Sequence, residues 1–289
     1  MMNLSQLPSR LLPKQHQCSY RGCIQKPDWN RLFHSVQGIE LQGEWMCSEA
    51  CFLAAAQELL SSLGEARTTS PSSRTHLPLG LVMMSRGDLT STQLRAALDY
   101  QQKSKPGKRI GDILKEMGVV VETQITRALA EQWSCPVFPL QAAELPAMPE
   151  QLPLQLLETY RMLPVHSAPA ARMLLLGFTD ALHHSVLYAV ERMLGCRTEA
   201  CLIHSNFYRR QLDVLRAGAG SSQIVIETST TVMEAAQILL NYARQLESIE
   251  ARVVSCGKYL WIRLEPRILH ILLRTPLLPS SDPTRSQIG

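Results

Sequence analysis

The sequence contains few aromatic residues, little net charge and no long apolar run. Phe, Trp and Tyr make up 6% of the 289 residues, and the formal net charge at pH 7 is +4. This charge is too small to indicate a nucleic-acid-binding protein. No apolar run approaches the ~18 residues of a transmembrane helix, and the opening segment MMNLSQLPSRLLPKQHQ lacks the apolar core of a secretory signal. We therefore expect a cytoplasmic protein with no transmembrane segment and no DNA or RNA partner.

Recognisable catalytic motifs are also missing from the sequence. The chain has no GxxxxGK[ST] phosphate-binding loop, and GAGSSQ at 218–223 has glycines but no lysine. No Ser/His/Asp or Cys/His set stands in a recognisable context. We therefore expect no enzymatic activity and no catalytic residues.

Breaks in composition divide the chain. GEARTTSPSSRTH and RAGAGSS are rich in small and polar residues, as linkers are. The fold class that we predict is multidomain α+β. The predicted parts are a four-cysteine zinc-binding module over 1–63, a linker over 64–76, a tandem helical-hairpin and α/β domain over 77–215, a linker over 216–222, a small α+β domain over 223–275 and a flexible tail over 276–289.

Apolar periodicity predicts the elements within these parts. Residues 77–135 look helical. After Cys135, CPVFPL, RMLLLGF and TEACLI read as strands, and HHSVLYAVERML and NFYRRQLDVL read as helices. The last part contains a strand, an amphipathic helix and the hairpin ARVVSCGKYLWIRL. In that hairpin Tyr259, Trp261 and Arg263 share one strand face, which is either a protein-contact surface or a half-exposed sheet face.

Four of the eight cysteines are clustered near the N-terminus, and the other four are scattered among apolar segments, where we expect reduced core residues. GIELQGEWMC predicts a hairpin and SEACFLAAAQELLSSL a helix, an arrangement that resembles treble-clef zinc fingers. The two cysteine pairs have CxxxxC and CxxxC spacings, which are wider than the common CxxC spacing. The alternative interpretation is therefore four unrelated buried cysteines. Four thiolates close a tetrahedral zinc site, which makes the predicted metal structural. The predicted ligands are Cys18, Cys23, Cys47 and Cys51.

One 24-residue pattern occurs twice. PLGLVMMSRGDLTSTQLRAALDYQ, residues 78–101, aligns without gaps with RIGDILKEMGVVVETQITRALAEQ, residues 109–132. Each copy predicts a short helix, a turn and a second helix, and two such hairpins would pack about a pseudo-two-fold axis. The identical pairs are Gly80/Gly111, Gly87/Gly118, Thr92/Thr123, Gln93/Gln124, Ala97/Ala128, Leu98/Leu129 and Gln101/Gln132.

Core packing accounts for the apolar matches but not for three other features of the repeat. Gly80 and Gly111 weaken the first turn of a helix, which suggests that something approaches the backbone there. Gln101 and Gln132 could each hydrogen-bond the edge of a ligand. Arg109 stands where a guanidinium could stack on a base or bind a phosphate.

The tandem form RLGxxL…G(I/L)…L..AL..Q resembles the MshEN domain, which is the N-terminal domain of GspE-like ATPases that drive type II secretion and type IV pilus assembly. The resemblance covers about residues 77–215. LPLQLLETYRMLPVH and the segment from RMLLLGF onward are also similar to that domain, although its usual Asp-Pro after the strand is Asp180-Ala181 here. The ATPase motif that follows this domain in the family is absent from the chain.

In that family the tandem motifs bind cyclic di-GMP, so the resemblance implies two half-sites. The implied residues are Arg109, Ile110, Gly111, Leu129 and Gln132 for one half-site and Leu79, Gly80, Leu98 and Gln101 for the other. Pro78 stands where the first motif would have its arginine. Losing a charge-assisted contact costs about 1.5–3 kcal/mol, so either binding is weaker or another arginine, such as Arg74 or Arg86, compensates.

The function that these features imply is that of a non-catalytic regulator or adaptor in a type II secretion or type IV pilus system. Its expected partner is the secretion or pilus ATPase or another assembly component. Its expected ligands are structural Zn²⁺ and cyclic di-GMP. One alternative is a protein-interaction scaffold that binds no nucleotide, and another is a zinc-finger nucleic-acid-binding protein.

Overall fold

The computed structural model describes residues 18–24, 38–65, 77–139, 151–218, 223–227 and 230–274. Most of the predicted 64–76 linker, residues 219–222 of the second linker and the 276–289 tail lie outside these ranges. The chain is α+β and divides into two compact units. The sheet unit comprises Met1–Thr69, Ile226–Val254 and Lys258–Gly289, and the hairpin unit comprises Ser70–Val225 with Ser255–Gly257.

The described residues form nine α-helices and nine strands. In order they are β1 (Ile39–Leu41), β2 (Glu44–Met46), α1 (Glu49–Glu65), α2 (Leu79–Ser85), α3 (Ser91–Ser104), α4 (Ile110–Glu116), α5 (Glu122–Trp133), α6 (Leu154–Thr159), β3 (Met162–Ala168), β4 (Met173–Phe178), α7 (His184–Leu194), β5 (Arg197–Leu202), α8 (Ser205–Gly218), β6 (Gln223–Ile226), α9 (Val232–Gln245), β7 (Glu250–Cys256), β8 (Tyr259–Glu265) and β9 (Leu269–Arg274). Within the described ranges, no helix combines the length and apolar character that a membrane crossing needs.

The sheet unit joins two segments that the sequence places in separate domains. Its six-stranded sheet has the order β2-β1-β7-β8-β9-β6, in which β1 pairs with β7 in parallel. Helices α1 and α9 pack together and share a core with the sheet that includes Phe52, Leu60, Leu239 and Ile262. A hairpin of two three-residue strands and one helix are too small to bury a core alone. Pairing between strands so far apart in sequence leaves no local pattern to detect.

Strand β8 is buried on both faces. Tyr259, Trp261 and Arg263 are all buried. The sequence had instead predicted a protein-contact surface or a half-exposed sheet face. Trp261 Nε1 donates to His270 Nδ1 on β9 at 3.1 Å. The difference arises because β8 is an inner strand of the sheet, a position that the strand's own sequence does not encode.

The hairpin unit contains the four helices of the tandem hairpins, the helices α6, α7 and α8, and a small mixed sheet. Strand β4 pairs with β3 antiparallel and with β5 in parallel, and α7 connects β4 to β5. The predicted strands RMLLLGF and TEACLI correspond to β4 and β5. Residues 135–139, the described part of CPVFPL, form only an isolated bridge, Val137 to Leu202, because their two prolines cannot donate to a ladder. Strand β3 was not predicted.

The two hairpins, α2–α3 and α4–α5, form one core with internal symmetry. Each buried residue of this core has its counterpart at the equivalent position of the other copy. The pairs are Val82/Ile113, Met83/Leu114, Leu89/Val120 and Ala97/Ala128. Gly87 and Gly118 follow α2 and α4 with φ of +76° and +69°, a left-handed conformation that glycine adopts without strain. Burial of a shared core therefore accounts for most of the repeat.

The repeated pair Gln93/Gln124 caps the start of the second helix of each hairpin. Gln93 Oε1 accepts from the Thr90 backbone N–H at 2.9 Å. Gln124 Oε1 accepts from the Val121 N–H at the same distance. These bonds satisfy a backbone donor at each helix start. The repeated glutamines at 93 and 124 are therefore explained by folding alone.

Candidate functional site

The hairpin unit contains a cleft of about 250 Å³. Its volume is slightly below the roughly 300–1,000 Å³ of typical small-molecule pockets. Six of the nine predicted nucleotide-binding residues line it. They are Leu79, Arg109, Ile110, Gly111, Leu129 and Gln132. The second motif therefore contributes all five of its predicted residues to one cavity, together with one residue of the first.

Three predicted residues of the first motif do not line this cleft. Gly80 is buried in the hairpin, and Leu98 is 46% exposed. Gln101 Nε2 donates to the Lys108 carbonyl oxygen. These three residues of the first motif therefore lie outside the cleft that the second motif lines.

The repeated glycines meet side chains of their own hairpins. A Cβ on Gly80 would lie 2.6 Å from Leu94 Cδ1, which is closer than carbon atoms approach. A Cβ on Gly111 would lie 3.4 Å from both Ile125 Cγ2 and Leu79 Cδ2. The close approach that the sequence suggested at these glycines is therefore made by the second helix of each hairpin, with Leu79 also near Gly111.

The repeated glutamines connect the two hairpins. Gln132 Nε2 donates to the Leu77 carbonyl oxygen at 2.6 Å, and Gln101 makes the equivalent bond to Lys108. Each glutamine thus holds the residue two positions before the first helix of the other hairpin. From the sequence we expected these glutamines to hydrogen-bond a ligand. In the structure, both side-chain amides instead donate to backbone carbonyls.

Arg109 and Pro78 occupy equivalent positions with the same backbone conformation. Arg109 precedes α4 with φ −69° and ψ 142°, and Pro78 precedes α2 with φ −54° and ψ 139°. Arg109 forms an ion pair with Asp180. Partial burial and the neighbouring Arg161 guanidinium lower the pKa of Arg109, which stays charged because arginine does not deprotonate in proteins.

The cleft also contains residues that the sequence did not predict. Arg161 precedes β3, and Thr179 and Asp180 follow β4. Arg161 Nε donates to Thr179 Oγ1 at 3.0 Å and lies 3.9 Å from Asp180 Oδ2. Thr179 Oγ1 in turn donates to Asp180 Oδ1 at 3.2 Å. Asp180 had a signal in the Asp-Pro resemblance, but Arg161 had none, because its place depends on the pairing of β3 with β4.

Opposite charges balance within the cleft. Its charged lining residues are Arg109, Lys115 and Arg161 against Asp112, Glu122 and Asp180. An anionic ligand would therefore compete with the carboxylates of the protein itself. The strongest competition would come at the Arg109–Asp180 pair.

Arg86, one of the two arginines suggested as replacements for the missing one, is not in the cleft lining. Arg86 pairs with Asp88 at 2.9 Å and with Glu131 at 3.0 Å. Its guanidinium holds the pKa of Asp88 below the usual value. Arg74 lies outside the described residues.

The four clustered cysteines come together in the sheet unit. Their sulfur atoms all lie within 4.8 Å of one another. The Cys23 and Cys47 sulfurs are 3.6 Å apart, and those of Cys47 and Cys51 are 3.8 Å apart. A tetrahedral zinc with bonds of about 2.3 Å sets its sulfur ligands about 3.8 Å apart. These residues could therefore hold a metal ion.

The predicted hairpin and helix position these cysteines. Cys47 follows β2, and Cys51 lies in the first turn of α1, where its N–H donates to Ser48 Oγ at 3.2 Å. The Cys47 N–H points at Cys18 Sγ at 3.5 Å. Burial and the neighbouring thiols raise the pKa of Cys47 to about 12, so a bound metal would have to displace its proton.

The other four cysteines lie elsewhere in the structure. Cys201 and Cys256 are buried, whereas Cys135 and Cys196 are half-buried. Burial raises the pKa of Cys201 to about 12, as it does for cysteines in apolar surroundings.

No family model matches this chain, and no curated protein matches it. Among solved structures, it is similar to MshE with cdg at 25% identity and a TM-score of 0.40, over 48% of this chain and 99% of that one. It is also similar to the N-terminal domain of XpsE in two crystal forms. Those matches have 19% and 20% identity and TM-scores of 0.37 and 0.29, and they cover 47% and 45% of this chain and 91% and 89% of the others. About half of the chain thus resembles these domains.

Proposed function

We propose that this protein is a non-catalytic, cytoplasmic regulator or adaptor of a type II secretion or type IV pilus assembly system, and that it binds cyclic di-GMP. The observation that supports this ligand best is the cleft, which all five predicted residues of the second motif line. The assembly ATPase, or another component of the same machine, is the proposed partner. That part of the proposal rests on the tandem motif in the sequence.

The chemistry of the cleft suits one half of cyclic di-GMP. Leu79, Ile110 and Leu129 provide apolar surface against which a base can lie, and Arg109 provides donors for a phosphate. A cavity of about 250 Å³ is small for a whole dinucleotide but suits a single nucleotide unit. The rest of the ligand would extend toward the first hairpin.

Calorimetric titration of cyclic di-GMP into the full chain tests this function. We expect saturable binding that weakens about tenfold to hundredfold in Arg109→Ala, because a charge-assisted contact is lost. Arg197→Ala is the matched control, since Arg197 is an exposed arginine of β5 paired with Glu199. Absence of binding at about 100 μM ligand would contradict the ligand assignment.

One observation favours a second candidate, a protein-interaction scaffold without a nucleotide. Arg109 is already paired with Asp180, and Pro78 removes the other arginine. A scaffold would show no heat with cyclic di-GMP and no rise in melting temperature, since only a ligand that binds the folded state stabilises it. A nucleic-acid-binding protein would instead bind DNA or RNA with a steep dependence on salt.

We further propose that Cys18, Cys23, Cys47 and Cys51 hold a structural Zn²⁺ that stabilises the sheet unit. Four sulfurs at tetrahedral spacing leave no open position for catalysis. Elemental analysis of the purified protein should find one zinc per chain, and Cys47→Ser should lose it and melt at a lower temperature. Cys135→Ser is the control and should keep the metal. Full metal content in Cys47→Ser would contradict this assignment.

A further inference from the structure

Arg161 is held toward the cleft by contacts on several sides. Its backbone has φ +48°, a conformation uncommon for a residue other than glycine. Its Nε donates to Thr179, and its guanidinium carbon lies 5.9 Å from the centre of the Tyr208 ring. Tyr208 is itself fixed by a hydrogen bond from its hydroxyl to the Leu157 carbonyl. A side chain ordered in this way loses little entropy when it binds a ligand.

Asp180 lies between this arginine and the arginine of the second motif. Its Oδ2 pairs with Arg109 and is 3.9 Å from Arg161 Nε, while its Oδ1 accepts from Thr179. Two guanidiniums around one carboxylate carry a net positive charge. Guanidiniums bind phosphate oxygens with the same fork of donors that they offer to carboxylates. The position of this carboxylate is therefore one that a phosphate oxygen could take.

We propose that Arg161, which lies outside the tandem motifs, is the second phosphate-binding arginine of the cleft, and that Asp180 holds the phosphate position until a nucleotide displaces it. This role rests on the proposed nucleotide-binding function. The ligand phosphate lies between Arg109 and Arg161, and the carboxylate of Asp180 moves away from it.

Titration of cyclic di-GMP and of GMP into four forms of the full chain tests this role. The forms are the wild type, Arg161→Ala, Arg161→Lys and Asp180→Asn. We expect Arg161→Ala to bind about tenfold to hundredfold more weakly, with Arg161→Lys between it and the wild type because the charge remains. Asp180→Asn keeps an oxygen for Thr179 but removes the competing charge, so it should bind about threefold to tenfold more tightly.

The gain in Asp180→Asn separates this role from a purely structural one, which would predict only losses. Affinity should also depend less on salt in Arg161→Ala than in the wild type, since one phosphate contact is lost. Wild-type affinity in Arg161→Ala, or weaker binding in Asp180→Asn, would overturn the role while leaving the proposed function intact. Failure of the wild type to bind either nucleotide would overturn both. Melting curves of each variant show whether it is folded.

Discussion

The two helical hairpins share a fold and differ in what surrounds them. Their buried residues form matched pairs, and the same turn glycines and capping glutamines recur in each. Yet Leu129 is 7% exposed and lines the cleft, whereas Leu98 is 46% exposed. Arg109 faces Asp180, but its counterpart is Pro78. The repeated features serve folding in both hairpins, and only the second hairpin places most of its copies in the cleft.

This contrast changes how the repeated polar residues are interpreted. Gly80 and Gly111 allow close packing of the helices, and Gln101 and Gln132 bind the backbone of the opposite hairpin. Repetition of a residue therefore indicates that both hairpins need it, which is not the same as contact with a ligand. The ligand hypothesis rests on the residues that line the cleft, and among the predicted ones Arg109 is the residue with no similar counterpart in the first hairpin.

The largest difference between the hairpins should appear when their matched leucines are truncated. We expect Leu129→Ala to lower the free energy of unfolding by about 2–5 kcal/mol, because a buried side chain is lost. Leu98→Ala should cost less than about 1 kcal/mol, since nearly half of that side chain is already in water. Urea denaturation of both variants beside the wild type measures this. Equal losses would mean that Leu98 is also covered.

Restoring the missing arginine should make the two hairpins more alike. Pro78 and Arg109 share a backbone conformation, so Pro78→Arg fits without strain. If the second half of the ligand reaches the first hairpin, Pro78→Arg should bind cyclic di-GMP about tenfold to hundredfold more tightly than the wild type. Pro78→Ala, which removes the proline without adding a charge, is the control. An unchanged affinity would confine the ligand to the second hairpin.

The hairpins were predictable from sequence because their signals are local. Helical periodicity, turn glycines and the repeat itself lie within 24-residue segments, and the spacing of the cysteines with their hairpin and helix is equally local. Of the two arginines in the cleft, only Arg109 was predictable from the sequence. Arg109 is in the motif, but Arg161 reaches the cleft through the pairing of β3 with β4. The β1–β7 pairing was likewise beyond local patterns.

A smaller effect should come from adding a methyl group to each repeated glycine. Alanine stabilises a helix relative to glycine by about 1 kcal/mol. Gly111→Ala should keep most of this gain, because its new Cβ would meet only ordinary contacts near 3.4 Å. In Gly80→Ala the methyl would lie 2.6 Å from Leu94, and overpacking of this kind costs about 1–3 kcal/mol. Thermal unfolding should therefore rank Gly111→Ala above Gly80→Ala. The reverse order would show that Leu94 moves aside easily.

The smallest predicted effect concerns the glutamines that connect the hairpins. Gln101→Ala and Gln132→Ala each remove one side-chain bond to a backbone carbonyl, so each should cost about 0.5–1.5 kcal/mol of stability. Because the two bonds are equivalent, the two losses should be similar. Gln101→Ala should leave the affinity for cyclic di-GMP unchanged, because Gln101 does not line the cleft. A selective loss of affinity in Gln132→Ala would assign that residue to the ligand after all, since it alone of the two lines the cleft.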